Sequence, residues 1–132
     1  MIYIADACAV IALLRDENGG DKMRDLLLDP GNEMRMHAVN LGEVYYLAVR
    51  RKDANVGKIF EDIARLGIQI RRDLDDDFIR IVGKWKAGHG LAYADAFVLG
   101  LAERDSGTVV STDHAELDAI AAQGAIRFYW LR

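Results

Sequence analysis

Apolar residues recur along the chain in short runs set apart by turn-forming and charged positions. IYIA at residues 2–5 is too short for a helix and stops at Asp6, after which AVIALL resumes without strict alternation; the pattern predicts strand, turn and helix. A second helix covers about 20–29 and is closed by Pro30 and Gly31, the chain's only Pro-Gly turn. MRMHAV at 34–39 alternates as a strand does, and NLGEVYYLAVRRK reads as a helix with Asn40 as its N-cap and Glu43 three residues on, a capping-box spacing. A helix over about 54–66 ends at Gly67, and IQI at 68–70 is a third strand. Asp73, Asp75, Asp76 and Asp77 precede FIRIVGKWKA, where negative charge complements a helix N-terminus, and that helix ends near His89 and Gly90. LAYADAFVLGLAERD continues as a helix, TVVS as a fourth strand, DHAELDAIAAQG as a last helix and IRFYW as a final strand.

Strands and helices therefore alternate throughout. That order predicts an α/β fold, a three-layer sandwich with a mostly parallel central sheet of four to five strands and helices on both faces. Residues 1–132 contain no repeat, low-complexity segment or linker, so one domain is expected. Right-handed crossovers bring the C-terminal ends of parallel strands, and the starts of the helices that follow, to one edge of the sheet, where ligands of such folds bind. Asp6 follows the first strand, Glu43 opens the helix after the second, and Asp113 follows the fourth. Asp95 lies in the first turn of its own helix and can point to the same edge.

Composition narrows the functional classes. The chain is 52% hydrophobic and 29% charged, an ordinary globular balance, and no apolar run nears the ~20 residues that span a bilayer. No membrane association is expected. The first residues carry no basic segment ahead of the apolar run, so a cytoplasmic location is the expectation. Cys8 is the single cysteine, and no Cys/His spacing suits zinc. A net charge of -4 restricts any nucleic-acid contact to local basic groups: Arg50, Arg51 and Lys52; Arg71 and Arg72; and Arg80, Lys84 and Lys86 beside His89. The first and third of these also fit helix C-termini, where cations complement the dipole.

Taken singly, three of the rim carboxylates have a local explanation. Asp6 and Asp113 suit N-caps, with Glu116 placed to complete a capping box for Asp113, and Glu43 suits the partner of Asn40. Asp95 does not. Its helical neighbours three and four positions away are Leu91, Ala92, Val98 and Leu99, none of which can pair it, and an unpaired carboxylate in an apolar stretch is costly. Taken together, four carboxylates on one rim repel each other, which a hard divalent cation relieves. Mg2+ or Mn2+ prefers oxygen donors, keeps several waters, and binds through a few carboxylates plus substrate phosphate. Such an ion activates water for attack on a phosphodiester without a Ser, His or Cys nucleophile.

The segments IYIADACAVIALL, AVNLGEVYYLA, GLAYADAFVLGLAE and VVSTDHAELD resemble the four acidic motifs of PIN domains, in particular of VapC ribonuclease toxins from type II toxin-antitoxin systems. The resemblance covers nearly the whole chain. It implies that Asp6, Glu43, Asp95 and Asp113 are both metal ligands and catalytic residues. It further implies an RNA substrate cut to a 5′-phosphate and a 3′-hydroxyl, a homodimer, and a small antitoxin protein whose tail occludes the site. Three positions depart from the pattern: Cys8 where Ser or Asn is usual, Ala92 where Ser or Thr often caps the helix, and Ser111-Thr112 ahead of the fourth acid. Ser111 or Thr112 is a candidate for a hydrogen bond near the metal.

Other readings weigh differently. A haloacid dehalogenase needs a second Asp two residues after the first, where this chain has Cys8; a receiver domain needs an adjacent acidic pair and a late Lys, neither of which is evident. The non-enzymatic alternative is an acidic pocket that binds Mg2+ or a protein without cleaving. Cys8 reads as a small structural residue rather than a nucleophile, His37 as a satisfied core or surface residue and His114 as a surface one. Tyr45, Tyr46, Trp85, Phe97, Phe128 and Trp130 read as core or dimer contacts rather than base-stacking platforms.

Overall fold

Strands whose two faces are both covered are apolar at almost every position, and the chain follows that rule. The computed structural model describes residues 1–132 in the order β1 (Ile2–Ala5), α1 (Ala7–Leu14), α2 (Gly20–Leu28), β2 (Glu33–His37), α3 (Ala38–Arg51), a 3-10 turn (Val56–Lys58), α4 (Ile59–Arg65), β3 (Gln69–Arg71), α5 (Asp76–Gly88), α6 (Tyr93–Asp105), β4 (Thr108–Ser111), α7 (His114–Gln123) and β5 (Arg127–Trp130). All five strands are parallel, in the order β3-β2-β1-β4-β5. The expected α/β sandwich is therefore present, with the sheet parallel throughout.

Along β1 the side chains part between two cores. Tyr3 and Ala5 join Met34, Met36 and the apolar sides of α1 to α4, while Ile4 points the other way and joins Val109 and α5 to α7. The helices thus cover both faces. α6 is buried from Ala96 to Ala102 without interruption, as a helix enclosed on all sides must be. Its contact with α5 depends on Gly100, where an added Cβ would stand 2.9 Å from the Val82 side chain.

The sheet order reverses direction at β1, so the crevice of the fold opens between the C-terminal ends of β1 and β4. Asp6 follows β1 directly, and Ser111 to Asp113 leave β4 beside it. α6 leads into β4, which brings the first turn of α6 to the same edge.

One expected cap is corrected. Asn40 does not cap α3; the helix starts two residues earlier, at Ala38, and His37 is its N-cap. The Val39 N–H donates to His37 Nδ1 at 3.1 Å, and His37 Nε2 donates to the Asp73 carbonyl at 3.0 Å. An imidazole can cap because its neutral form keeps one acceptor nitrogen. Burial pushes the His37 pKa down, which favours that form, and both nitrogens are satisfied, as expected for a core histidine. The helix expected over 54–66 divides into the 3-10 turn and α4.

The acidic run before α5 splits by role. Asp75 caps the helix, accepting from the Phe78 N–H at 2.9 Å, and Asp76 and Asp77 occupy its first turn. Asp73 instead takes Arg71 at 2.8 Å and Arg104 at 2.9 Å, and Arg104 also reaches Asp75 at 2.7 Å. Arg71 and Arg35 converge on the Asp105 carboxylate, whose side chain is 6% exposed, at 2.6 and 2.8 Å, so one ion-pair network ties β2 and β3 to the ends of α5 and α6. Arg71 is therefore committed to structure, while Arg50 and Arg51, like Lys86, lie in last helical turns. No helix is long and apolar enough to cross a membrane.

Candidate metal centre

Asp6 is fixed first by backbone chemistry. Leaving β1 in an extended conformation, it caps α1, with Oδ1 accepting from the Ala9 N–H at 2.8 Å. Its Oδ2 accepts from the Ser111 hydroxyl, and Ser111 Oγ in turn accepts from the Asp113 N–H at 2.9 Å. Ser111 is fully buried and so bridges the two strand ends that carry Asp6 and Asp113. Asp113 caps α7 by accepting from the Glu116 N–H at 3.2 Å. The expected capping box is only half formed, because the Asp113 N–H goes to Ser111 rather than to the Glu116 carboxylate.

Asp95 stands in the first turn of α6, whose N-cap position, Ala92, offers no side-chain acceptor. Glu43 lies in the second turn of α3 and receives one hydrogen bond, from Asn40 Nδ2 at 3.2 Å. Asn40 is completely buried, its amide also donates to the Ala94 carbonyl at 3.0 Å, and its Oδ1 is buried without a partner.

The electrostatics show that these groups share one neighbourhood. Burial pushes the Asp6 carboxyl up to about 7 against the pull of its hydrogen bonds from Ser111 and Ala9, and the charges of Asp95 and Asp113 push the same way. Burial, then the charges of Glu43, Glu116 and Asp113, raises Asp95 to about 7, and no hydrogen bond relieves it. Glu43 is raised by burial and by Asp113, with Asn40 opposing. Cys8, half-buried at the start of α1, is pushed up to about 12 by burial and by Asp6, Asp113, Asp95 and Glu43 together. The Cys8 thiol thus lies within the electrostatic reach of all four carboxylates. Every charged group acting on Asp6, Glu43 and Asp95 is itself a carboxylate.

An all-oxygen donor set with unbalanced negative charge suits a hard divalent cation. The side chains do not form a closed cage, since no three His, Cys, Asp or Glu groups stand close enough together to hold one ion. Mg2+ fits such an arrangement better than a cage-binding metal, because it takes one or two carboxylates directly and reaches others through its waters. The cleft of about 280 Å³ lined by Ile11, Val44, Ala48 and Ile59 contains none of the four acids.

Sequence reasoning missed two members of the site. Glu116, expected only as a capping partner, also acts on Asp95 through its charge, as its place in the first turn after Asp113 allows. Asn40, expected as a cap, lies inside α3 and is buried, which no sequence signal marks. Ser111 rather than Thr112 makes the bond left open between them.

Residues 3–123 match the PIN domain family. No curated protein matches the sequence. Among solved structures, VapBC-1 from nontypeable Haemophilus influenzae is similar at 16% identity and a TM-score of 0.70, over 99% of this chain and 98% of that one. DNA-bound VapBC from Salmonella typhimurium is similar at 14% identity and 0.72, over 100% and 99%. FitAcB from Neisseria gonorrhoeae is similar at 18% identity and 0.67, over 98% and 96%. At these identities the likeness is one of fold.

Proposed function

The chain belongs to the PIN domain family, and from that premise we propose that it is a Mg2+- or Mn2+-dependent endoribonuclease, the VapC-type toxin of a toxin-antitoxin pair. The observation that supports this reading is that Asp6, Glu43 and Asp95 are raised by burial and by neighbouring carboxylates, Asp113 among them, with no cationic side chain opposing. Such a set is unfavourable alone and becomes favourable around a cation. Asp6, Glu43, Asp95 and Asp113 would hold the ion, directly or through water. Bound there, the ion supplies the Lewis acidity that makes a water nucleophile available at neutral pH and neutralises charge on a phosphodiester.

The chain's own residues set the geometry. Asp6 is oriented by the Ala9 N–H and by Ser111, and Ser111 also accepts from the Asp113 N–H, so one hydroxyl links the Asp6 carboxylate to the backbone that carries Asp113. Asp95, at the start of α6, and Glu43, in α3, would complete the set. The Cys8 thiol stays protonated at neutral pH, which removes it as a covalent nucleophile and fits direct attack by water. The products would carry a 5′-phosphate and a 3′-hydroxyl.

Several similar structures are VapBC complexes, which supports an antitoxin as partner. A rim of unbalanced carboxylates suits a basic side chain from that antitoxin as well as it suits a cation. A homodimer and a cytoplasmic location complete the reading. The defining experiment incubates labelled RNAs with the protein in Mg2+, in Mn2+ and in chelator, beside Asp6→Asn and Asp95→Asn. Cleavage should require the metal and both carboxylates; cutting that persists in chelator or in the variants would overturn it. The non-cleaving alternative draws on the open arrangement of the side chains. It predicts Mg2+ or antitoxin binding with no RNA cut under any condition.

A further inference from the structure

We propose that Asn40 is the positioning residue that sets Glu43 in register with the helix carrying Asp95, an inference that rests on the metal-site reading above. A primary amide has two N–H donors and an oxygen able to accept twice. In Asn40 both donors are used, one on Glu43 Oε1 at 3.2 Å and one on the Ala94 carbonyl at 3.0 Å. The orientation of the amide follows from its partners. Turned by half a rotation, its oxygen would face a carboxylate and a carbonyl, and neither can donate.

The oxygen left over is buried with no donor, in a side chain that is 0% exposed. An unsatisfied buried acceptor is destabilising, and an apolar side chain of similar volume would avoid it. Stability alone therefore does not account for an amide at this position; its two donors do. The Ala94 carbonyl, in the first turn of α6 and one residue before Asp95, anchors the amide. The amide then holds Glu43, which has no other hydrogen bond, and its second donor makes the one hydrogen bond crossing between α3 and α6. Glu43 is thereby referenced to the Asp95 helix rather than left to its own rotamers.

The test is a double-mutant cycle read by Mn2+ binding, with free Mn2+ followed by electron paramagnetic resonance and melting followed by circular dichroism. Asn40→Leu should melt at or above the parent temperature in chelator while its Mn2+ Kd rises about tenfold, in the range lost when a partner that orients a ligand is removed. In a Glu43→Ala background the same substitution should change Kd less than about twofold, because the group it positions is gone. If Asn40→Leu overpacks and melts low, Asn40→Ala carries the same comparison. An unchanged Kd, or an equal loss with and without Glu43, would overturn the inference. Asp95→Asn separates the two levels: if it weakens Mn2+ binding while Asn40→Leu does not, only the Asn40 inference fails. A parent protein that binds no Mn2+ overturns both.

Discussion

A carboxylate withdrawn from water among other carboxylates costs stability when ionised, and Asp6, buried, and Asp95, half-buried, carry that cost in this protein. Both have folded pKa values near 7, above the 3.8 of a free aspartate. A raised value means the folded state prefers the protonated form, so each contribution to stability is fully present below pH 4 and is lost as pH rises through 7. In chelator the protein should therefore melt several degrees lower at pH 8 than at pH 5. Asp95→Asn, which cannot ionise, should melt above the parent at pH 8 and approach it as pH falls to 4, while its metal-dependent activity is lost. A melting series across pH checks this, and a variant that is less stable than the parent at pH 8 would contradict it. Cys8 gives a second residue-scale expectation. With its thiol held up to about 12, iodoacetamide at pH 8 should label it far more slowly than an exposed cysteine, and Cys8→Ala should retain cleavage.

At the scale of elements, the hydrophobic pattern located every strand and helix of the sheet, because runs of two periods bounded by Gly, Pro and Asp carry that information locally. The start of α3 was not legible. Histidine is a rare cap, and its suitability depends on Asp73, 36 residues away in the chain, fixing the tautomer. The same limit applies to the site. The places of the four candidate acids, after strands and near helix starts, were legible, whereas the Ser111 bridge and the burial of Asn40 depend on how the strands and helices pack. The reliance of α3 on an imidazole can be tested. His37→Ala removes a cap and a buried ring stacked on Phe78, and should cost about 2–4 kcal/mol by denaturant unfolding. Gly100→Ala should cost about 1–3 kcal/mol, since its Cβ meets Val82 at 2.9 Å across the α5–α6 contact.

For the whole molecule, two charge systems at separate places act in opposite directions on stability. Burial works against ionised Asp73, but the hydrogen bonds from Arg71 and Arg104 outweigh it and hold its carboxyl below the usual range; Arg104, then the Phe78 N–H, hold Asp75 lower still. Depressed values contribute stability that is present above the unfolded pKa of about 4 and lost as pH falls through the folded values. Acid thus loosens the network that ties β2 and β3 to α5 and α6. Alkali, without metal, loosens the carboxylate rim. Stability in chelator should pass through a maximum near pH 4, where the two sets of carboxylates cross their unfolded values, and fall on both sides. Under the proposed metal reading Mg2+ would bind only the ionised rim, so it should raise the melting temperature on the alkaline side and leave the acid side where it was. Arg104→Gln should do the reverse, lowering the acid side and leaving the Mg2+ response intact. A Mg2+ effect of equal size at pH 4 and pH 8 would show that the ion acts somewhere other than on Asp6 and Asp95.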